Sequence, residues 1–199
     1  MIASAVTRRA SWILVAAVLA ACGSSPKTSF YTLDADTSPA PSTPDARPYG
    51  VVVGPVTLPD MVDRPQLVVR VSANQVTVLD NHRWAEPLKS VIPRIIAADL
   101  SRLLGVSRVL LHPQSSGAQP EYRVRVDVRR FESDPGKGVT LEAYWSVQRT
   151  AESESRGGRS VVHVPVGEAG YDALAAAHSR AMGQLSEELA EVIRSIRRS

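Results

Sequence analysis

From Tyr122 to Arg129 the chain alternates apolar and polar residues without a break: Tyr122, Val124, Val126 and Val128 against Arg123, Arg125, Asp127 and Arg129. A period of two sends successive side chains to opposite faces of a strand, so this segment predicts one dry face and one wet face. After Asp134-Pro135-Gly136-Lys137-Gly138 the pattern returns, with Val139, Leu141, Ala143, Trp145 and Val147 apolar and Thr140, Glu142, Tyr144, Ser146 and Gln148 polar. The two runs predict an antiparallel hairpin that needs a cover for its apolar side. Matching the polar faces requires paired residue numbers to sum to an odd value. A sum of 271 places Asp127 opposite Tyr144 and Arg129 opposite Glu142, the second an opposite-charge pair worth ~0.2 to 1 kcal/mol.

The cover comes from two helical patterns. Leu88, Val91, Ile92, Ile95, Ile96, Leu100, Leu103 and Leu104 recur at helical spacing, with Gly105 as a stop and Pro87 suited to the first helical position. Pro93 strains that reading, because inside a helix it loses the bond to the Lys89 carbonyl at a cost of ~3 kcal/mol. Either the helix kinks there or it starts late with Ser90 as its cap. Tyr171, Leu174, His178, Ala181, Leu185, Leu189, Val192 and Ile196 mark a long terminal helix, and arginines 194, 197 and 198 suit the negative end of its dipole. Shorter strands are expected at Ser29 to Leu33, at Gly50 to Thr57 with Pro55 marking an edge or bulge, and at Gln66 to Val71 and Gln75 to Leu79 as a hairpin. Further strands are expected at Val109 to Leu111 and, after a polar loop from Thr150 to Arg159, at Val161 to Val166. The order strands, helix, strands, helix predicts an α+β two-layer sandwich, a mostly antiparallel sheet with both helices packed on one face.

Residues 1–21 read as a signal peptide: Arg8 and Arg9 precede an apolar run from Trp12 to Ala21, followed by Leu19-Ala20-Ala21-Cys22, small residues before a cysteine. Ten apolar residues span only ~15 Å as a helix, about half of a bilayer core, so the run is too short for a stable anchor. The expectation is cleavage before Cys22 and lipid attachment to that cysteine, with residues 22–28 as a tether and residues 29–199 as one domain. Gly23 follows the lipid site, and the absence of aspartate there leans toward the outer membrane. Cys22 is the only cysteine, so the fold rests on packing without a disulfide. Prolines 39, 41, 44 and 48 lie in a Ser/Thr/Ala-rich stretch from 38 to 48 that reads as a loop. Removing Arg8 and Arg9 from 23 basic residues leaves 21 against 20 acidic ones, a net charge of +1, which is no nucleic-acid signature.

Catalytic and metal motifs are not found. His82, His112, His163 and His178 lack metal-ligand spacing, no second cysteine can complete a zinc site, and neither a Gly-x-Ser-x-Gly elbow nor a phosphate-binding glycine loop occurs. The chain is expected to be no enzyme and to need no cofactor and no metal. Glu187-Glu188 and Glu152/Glu154 read as solvated carboxylates, and arginines 123, 125 and 129 as a row on an open sheet face that is either simply solvated or a contact for anionic head groups or a partner. Two segments leave alternatives open. Asp63-Arg64-Pro65 is either a turn that stiffens entry to a strand or part of a partner surface. Arg83-Trp84 is either a helix lead-in with Trp84 as a staple or the other part of that surface, since tryptophan and arginine are favoured interface anchors.

The succession Phe30-Tyr31-Thr32-Leu33, Val53-Gly54-Pro55-Val56, Leu58-Pro59, Asp63-Arg64-Pro65-Gln66-Leu67-Val68-Val69-Arg70 and Arg83-Trp84-Ala85-Glu86-Pro87-Leu88 resembles the PqiC/YmbA family. These are ABC-type transport auxiliary lipoproteins associated with MCE-domain lipid-trafficking systems. The resemblance implies a non-catalytic envelope lipoprotein that helps move phospholipid or other hydrophobic molecules between membranes. The partners it implies are an MCE-domain protein of an ABC-type transporter and a membrane held through Cys22, with homo-oligomerisation left open and no nucleic acid. The competing class is a general outer-membrane scaffold or binding lipoprotein in another envelope assembly or cell-wall complex.

Overall fold

The computed structural model describes residues 27–35, 49–112, 120–151, 155–167 and 170–198. Cys22 and the proline-rich stretch 38–48 lie outside them. The α+β class holds, with two helices laid against a curled sheet of eight strands. Strands β1 (Ser29–Tyr31), β2 (Val51–Thr57), β3 (Gln66–Ser72) and β4 (Gln75–Trp84) precede helix α1 (Leu88–Leu104). Strands β5 (Val109–Leu111), β6 (Tyr122–Asp134), β7 (Gly138–Arg149) and β8 (Ser155–Pro165) then lead to helix α2 (Tyr171–Arg198). No helix among the described residues is long and apolar enough to cross a membrane.

The sheet is mixed, which corrects the expectation of a mostly antiparallel one. Pairs β3–β4, β6–β7 and β7–β8 are antiparallel, whereas β1–β4, β2–β5, β2–β6 and β3–β6 are parallel. For three of these four the cause is the crossover, since α1 intervenes between the β2–β4 segment and β5–β6 and a parallel pairing needs such a connection; β1 and β4 are joined instead through β2 and β3. Strand β6 is the hub. One edge bonds β2 through residues 122–127 and meets β3 at Ser133, while the other bonds β7 over its whole length.

The register of the β6–β7 hairpin follows the sequence up to a point. Tyr122 faces Arg149, Asp127 faces Tyr144 and Val128 faces Ala143, all on the 271 sum. The ladder then shifts by one residue, so Arg130 faces Glu142 and Phe131 faces Leu141. The expected Arg129–Glu142 pair is therefore wrong, because an extra residue at Arg129 forms a bulge and reverses the parity of everything after it. Arg130 lies 4.0 Å from Glu142, and Arg129 turns to Asp127 at 2.8 Å. Phe131 and Ser133 thereby join Val124, Val126 and Val128 on the buried face.

Other boundaries move for similar reasons of tertiary pairing. Pro55 marks a register shift between Val53 and Val56, so the bulge reading stands; β2 lies between β6 and β5, but β5 pairs only with Val51 to Val53, which leaves Pro55 exposed beyond its end. Strand β4 runs on to Trp84, and β8 begins at Ser155 inside the expected loop. Helix α1 starts at Leu88, with Pro87 just before it; Ser90 N–H donates to the Pro87 carbonyl at 2.9 Å, which removes the late start at Ser90. Pro93 sits within the helix. The stop at Gly105 is as expected: its φ of 66° is left-handed, and Val106 N–H reaches back to the Ser101 carbonyl at 3.1 Å.

Where α2 crosses the sheet, its buried His178 stacks on Phe131 with centroids 3.9 Å apart and planes 15° apart. Trp84 meets both rings, at 6.2 Å from Phe131 and edge-on at 6.0 Å from His178, within the usual range of aromatic pairs. The Ser133 hydroxyl bonds His178 Nε2 at 2.8 Å. Burial pushes the imidazole down to about 3, so it stays neutral in the folded state.

Two predictions follow from this geometry. A folded pKa below the unfolded one gives stability that is present above about pH 6.5 and lost as pH falls toward the folded value. Chemical denaturation at pH 7, 6 and 5 should therefore show a loss of about 1.4 kcal/mol per unit below pH 6.5, which His178→Gln reduces. Glycines 136 and 138, in and beside the β6–β7 turn, have φ of 80° and 137°. A methyl on Gly136 meets nothing within 4 Å, whereas one on Gly138 runs into the Val164 carbonyl and Pro165 backbone. Gly136→Ala should cost about 1 to 2 kcal/mol. Gly138→Ala should cost more in the same denaturation measurement, because the backbone of β8 has to move.

Candidate partner-binding site

The turn 58–65 leaves β2 and returns the chain to β3. Leu58 and Val62 are buried and pin it to the core, while Met61 and Arg64 are exposed. Val62 and Asp63 N–H groups donate to the Pro59 carbonyl at 3.0 and 3.1 Å, and Arg64 N–H to the Val62 carbonyl at 2.8 Å. A tight turn is thus fixed at one end by apolar burial and throughout by its own backbone bonds.

A single backbone bond joins this turn to the second segment singled out in the sequence. Trp84 N–H donates to the Pro65 carbonyl at 2.7 Å, and Gln66 pairs with Arg83. On its other side β4 holds β1, with Tyr31 beside Trp84 and Ala85 N–H bonded to the Tyr31 carbonyl at 2.8 Å. Trp84, 6% exposed, is anchored by the Phe131–His178 stack. This corrects the helix lead-in: Trp84 ends a strand, and its ring packs against the sheet and α2.

Asp63, Arg64 and Pro65 face Trp84, Ala85, Glu86, Pro87 and Leu88 across a cleft of about 270 Å³. Four of the five residues expected at a partner surface therefore meet in one place. Arg83 is adjacent to the cleft without lining it, and its Nε donates to the Asp80 carbonyl at 2.9 Å. Cys22 cannot be placed, since it lies outside the described residues. Sequence reasoning missed Ala85, Glu86, Pro87 and Leu88 as lining groups, although they stand in the same run as Trp84.

Charges on the rim are largely matched. Lys89, in the first turn of α1, pairs with Asp63 and ties the helix to the turn. Glu86 is bonded by Arg94 at 2.8 Å, and that hydrogen bond holds its carboxyl below the ordinary carboxylate range. Arg64 carries no ion pair among the described residues. The arrangement offers apolar walls and one unmatched cation, and it brings together no nucleophile–base pair.

A second, larger groove of about 610 Å³ opens over Pro55, Thr57, Arg125, Val126, Asp127, Tyr144, Trp145 and Ser146. It is broad and shallow. Of the expected arginine row only Arg125 lines it, with Arg129 held over the Tyr144 ring at 5.9 Å and paired to Asp127.

No curated protein matches the chain by sequence. Two crystal structures share the fold. A protein from Xanthomonas campestris is 21% identical, with a TM-score of 0.67 over 82% of this chain and 93% of that one. An uncharacterized protein is 20% identical, with a TM-score of 0.69 over 84% of this chain and 99% of that one. The sequence pattern of one family runs through residues 31–190, from the last residue of β1 nearly to the end of α2. The chain belongs to the family of ABC-type transport auxiliary lipoprotein components.

Proposed function

We propose that the protein is the lipid-anchored, non-catalytic auxiliary subunit of an envelope ABC-type system built around an MCE-domain protein, in which it supports the transfer of phospholipid or another hydrophobic cargo. Cys22 carries the anchor in this reading, and the outer membrane holds it with the domain on the periplasmic side. Any energy for transport comes from the partner, because the sequence offers no nucleotide-binding glycine loop. The observation that carries the reading is the cleft, in which two segments twenty residues apart meet around Trp84 and Arg64.

The turn and the tryptophan contribute differently. Trp84 is largely buried and is part of the core, so its replacement confounds folding with binding. Arg64 is exposed and without an ion-pair partner among the described residues, which makes it the informative position. An alanine there should change stability by no more than about 0.5 kcal/mol, as surface substitutions do. Loss of an interface anchor costs about 2 kcal/mol or more, some thirtyfold in affinity. Melting temperature and crosslinked capture from membranes should be measured on the same Arg64→Ala preparation. Intact melting with lost capture of an MCE-domain protein is the expected result. Undiminished capture, or capture of a cell-wall enzyme by the wild type, contradicts it.

A further inference from the structure

We infer that the cleft between the 63–65 turn and the start of α1 receives a peptide segment of its partner in which a carboxylate stands beside an apolar side chain. This rests on the cleft being the partner-docking surface. Its walls are Pro65, Trp84, Pro87 and Leu88, which match an apolar side chain. The two carboxylates on its rim are already matched, Asp63 by Lys89 and Glu86 by Arg94. Two donors are left over. The Arg64 guanidinium has no acceptor and the Trp84 indole N–H no hydrogen-bond partner among the described residues. Both donors belong to residues lining the same cleft, and an anionic acceptor is the chemistry that would match them. Guanidinium groups take carboxylates in a two-pronged, charge-assisted geometry.

Size separates a peptide from lipid cargo. The cleft holds about 270 Å³, just under the ~300 to 1,000 Å³ typical of small-molecule sites. That accommodates one or two side chains and not a pair of acyl chains. Trp84, one of its walls, is backed by the Phe131 and His178 rings. Preformed walls keep the ordering cost of docking low.

The test uses the full lipoprotein in nonionic detergent and a phage-displayed library of random heptapeptides, with Arg64→Ala as the counter-screen. Enriched peptides are expected to carry Asp or Glu next to Phe, Leu, Ile or Trp. Their affinity should fall on the order of tenfold or more in Arg64→Ala, as for a hydrogen bond to a charged group, and return only in part in Arg64→Lys, which keeps the charge and loses the two-pronged geometry. The indole resonance of Trp84 should move on binding, and that of Trp145 should not. Absence of enrichment, enriched peptides without acidic residues, or affinity indifferent to Arg64 overturns the inference. So does displacement of the selected peptide by phosphatidylglycerol bicelles and not by phosphatidylcholine ones, which assigns the cleft to a lipid head group. Peptide binding without capture of a transporter protein keeps the acceptor chemistry and removes the proposed transporter partner. Capture that depends on Arg64 without any preference for acidic peptides does the reverse.

Discussion

The single extra residue at Arg129 organises the structure around it. Without that bulge the alternation of β6 would carry Phe131 and Ser133 to the wet face. With it, Phe131 stacks on His178 of α2 and touches Trp84 of β4, so one local irregularity brings the hub strand, the terminal helix and the β3–β4 hairpin into one packed contact. Such contacts matter here because the described core holds no disulfide and depends on burial and aromatic packing. Burial holds the imidazole neutral, so protonation at this junction is expected to weaken the fold as pH falls.

The cleft proposed for docking is a consequence of the same junction. Trp84 is held from behind by Phe131 and His178 and from the side by the Pro65 carbonyl, so its position is set before any partner arrives. The turn opposite is braced by Val62 in the core and by Lys89 reaching from α1 to Asp63. Exposed Arg64 stands on that braced turn. A rigid apolar floor beneath a charged rim concentrates binding energy in few residues, the usual anatomy of protein interfaces. The proposal that this surface meets another chain accords with membership of a family of transport auxiliary components.

Much of this was legible in the amino-acid sequence, and the failures have physical causes. Two-residue alternation located β6 and β7, and helical spacing located both helices, because each element buries one face only. The bulge has a signal in the sequence: Val128 and Phe131 are three apart, with Arg129-Arg130 between them, which no uninterrupted strand allows if both apolar residues face inward. The start of β8 was hidden by Gly157 and Gly158, which read as loop residues. Gly158 is in the strand because the Trp145 ring lies where its Cβ would stand, a tertiary requirement that local propensity does not carry. For the cleft, the residue types were readable in Asp63-Arg64-Pro65 and Trp84, whereas their meeting depends on the Gln66–Arg83 pairing of two strands. The parallel pairings of β6 with β2 and β3 are long-range in the same way.

The central claim is that the transporter partner docks on the turn side of Trp84 and not on the open sheet face. It is tested most directly by placing a photoreactive benzophenone side chain at position 64 in one variant and at position 159, exposed on β8, in another. Both variants are expressed as full lipoproteins and illuminated in intact membranes. The account predicts a light-dependent adduct with an MCE-domain protein from position 64 and none from position 159. An adduct from position 159 with none from position 64 would contradict it.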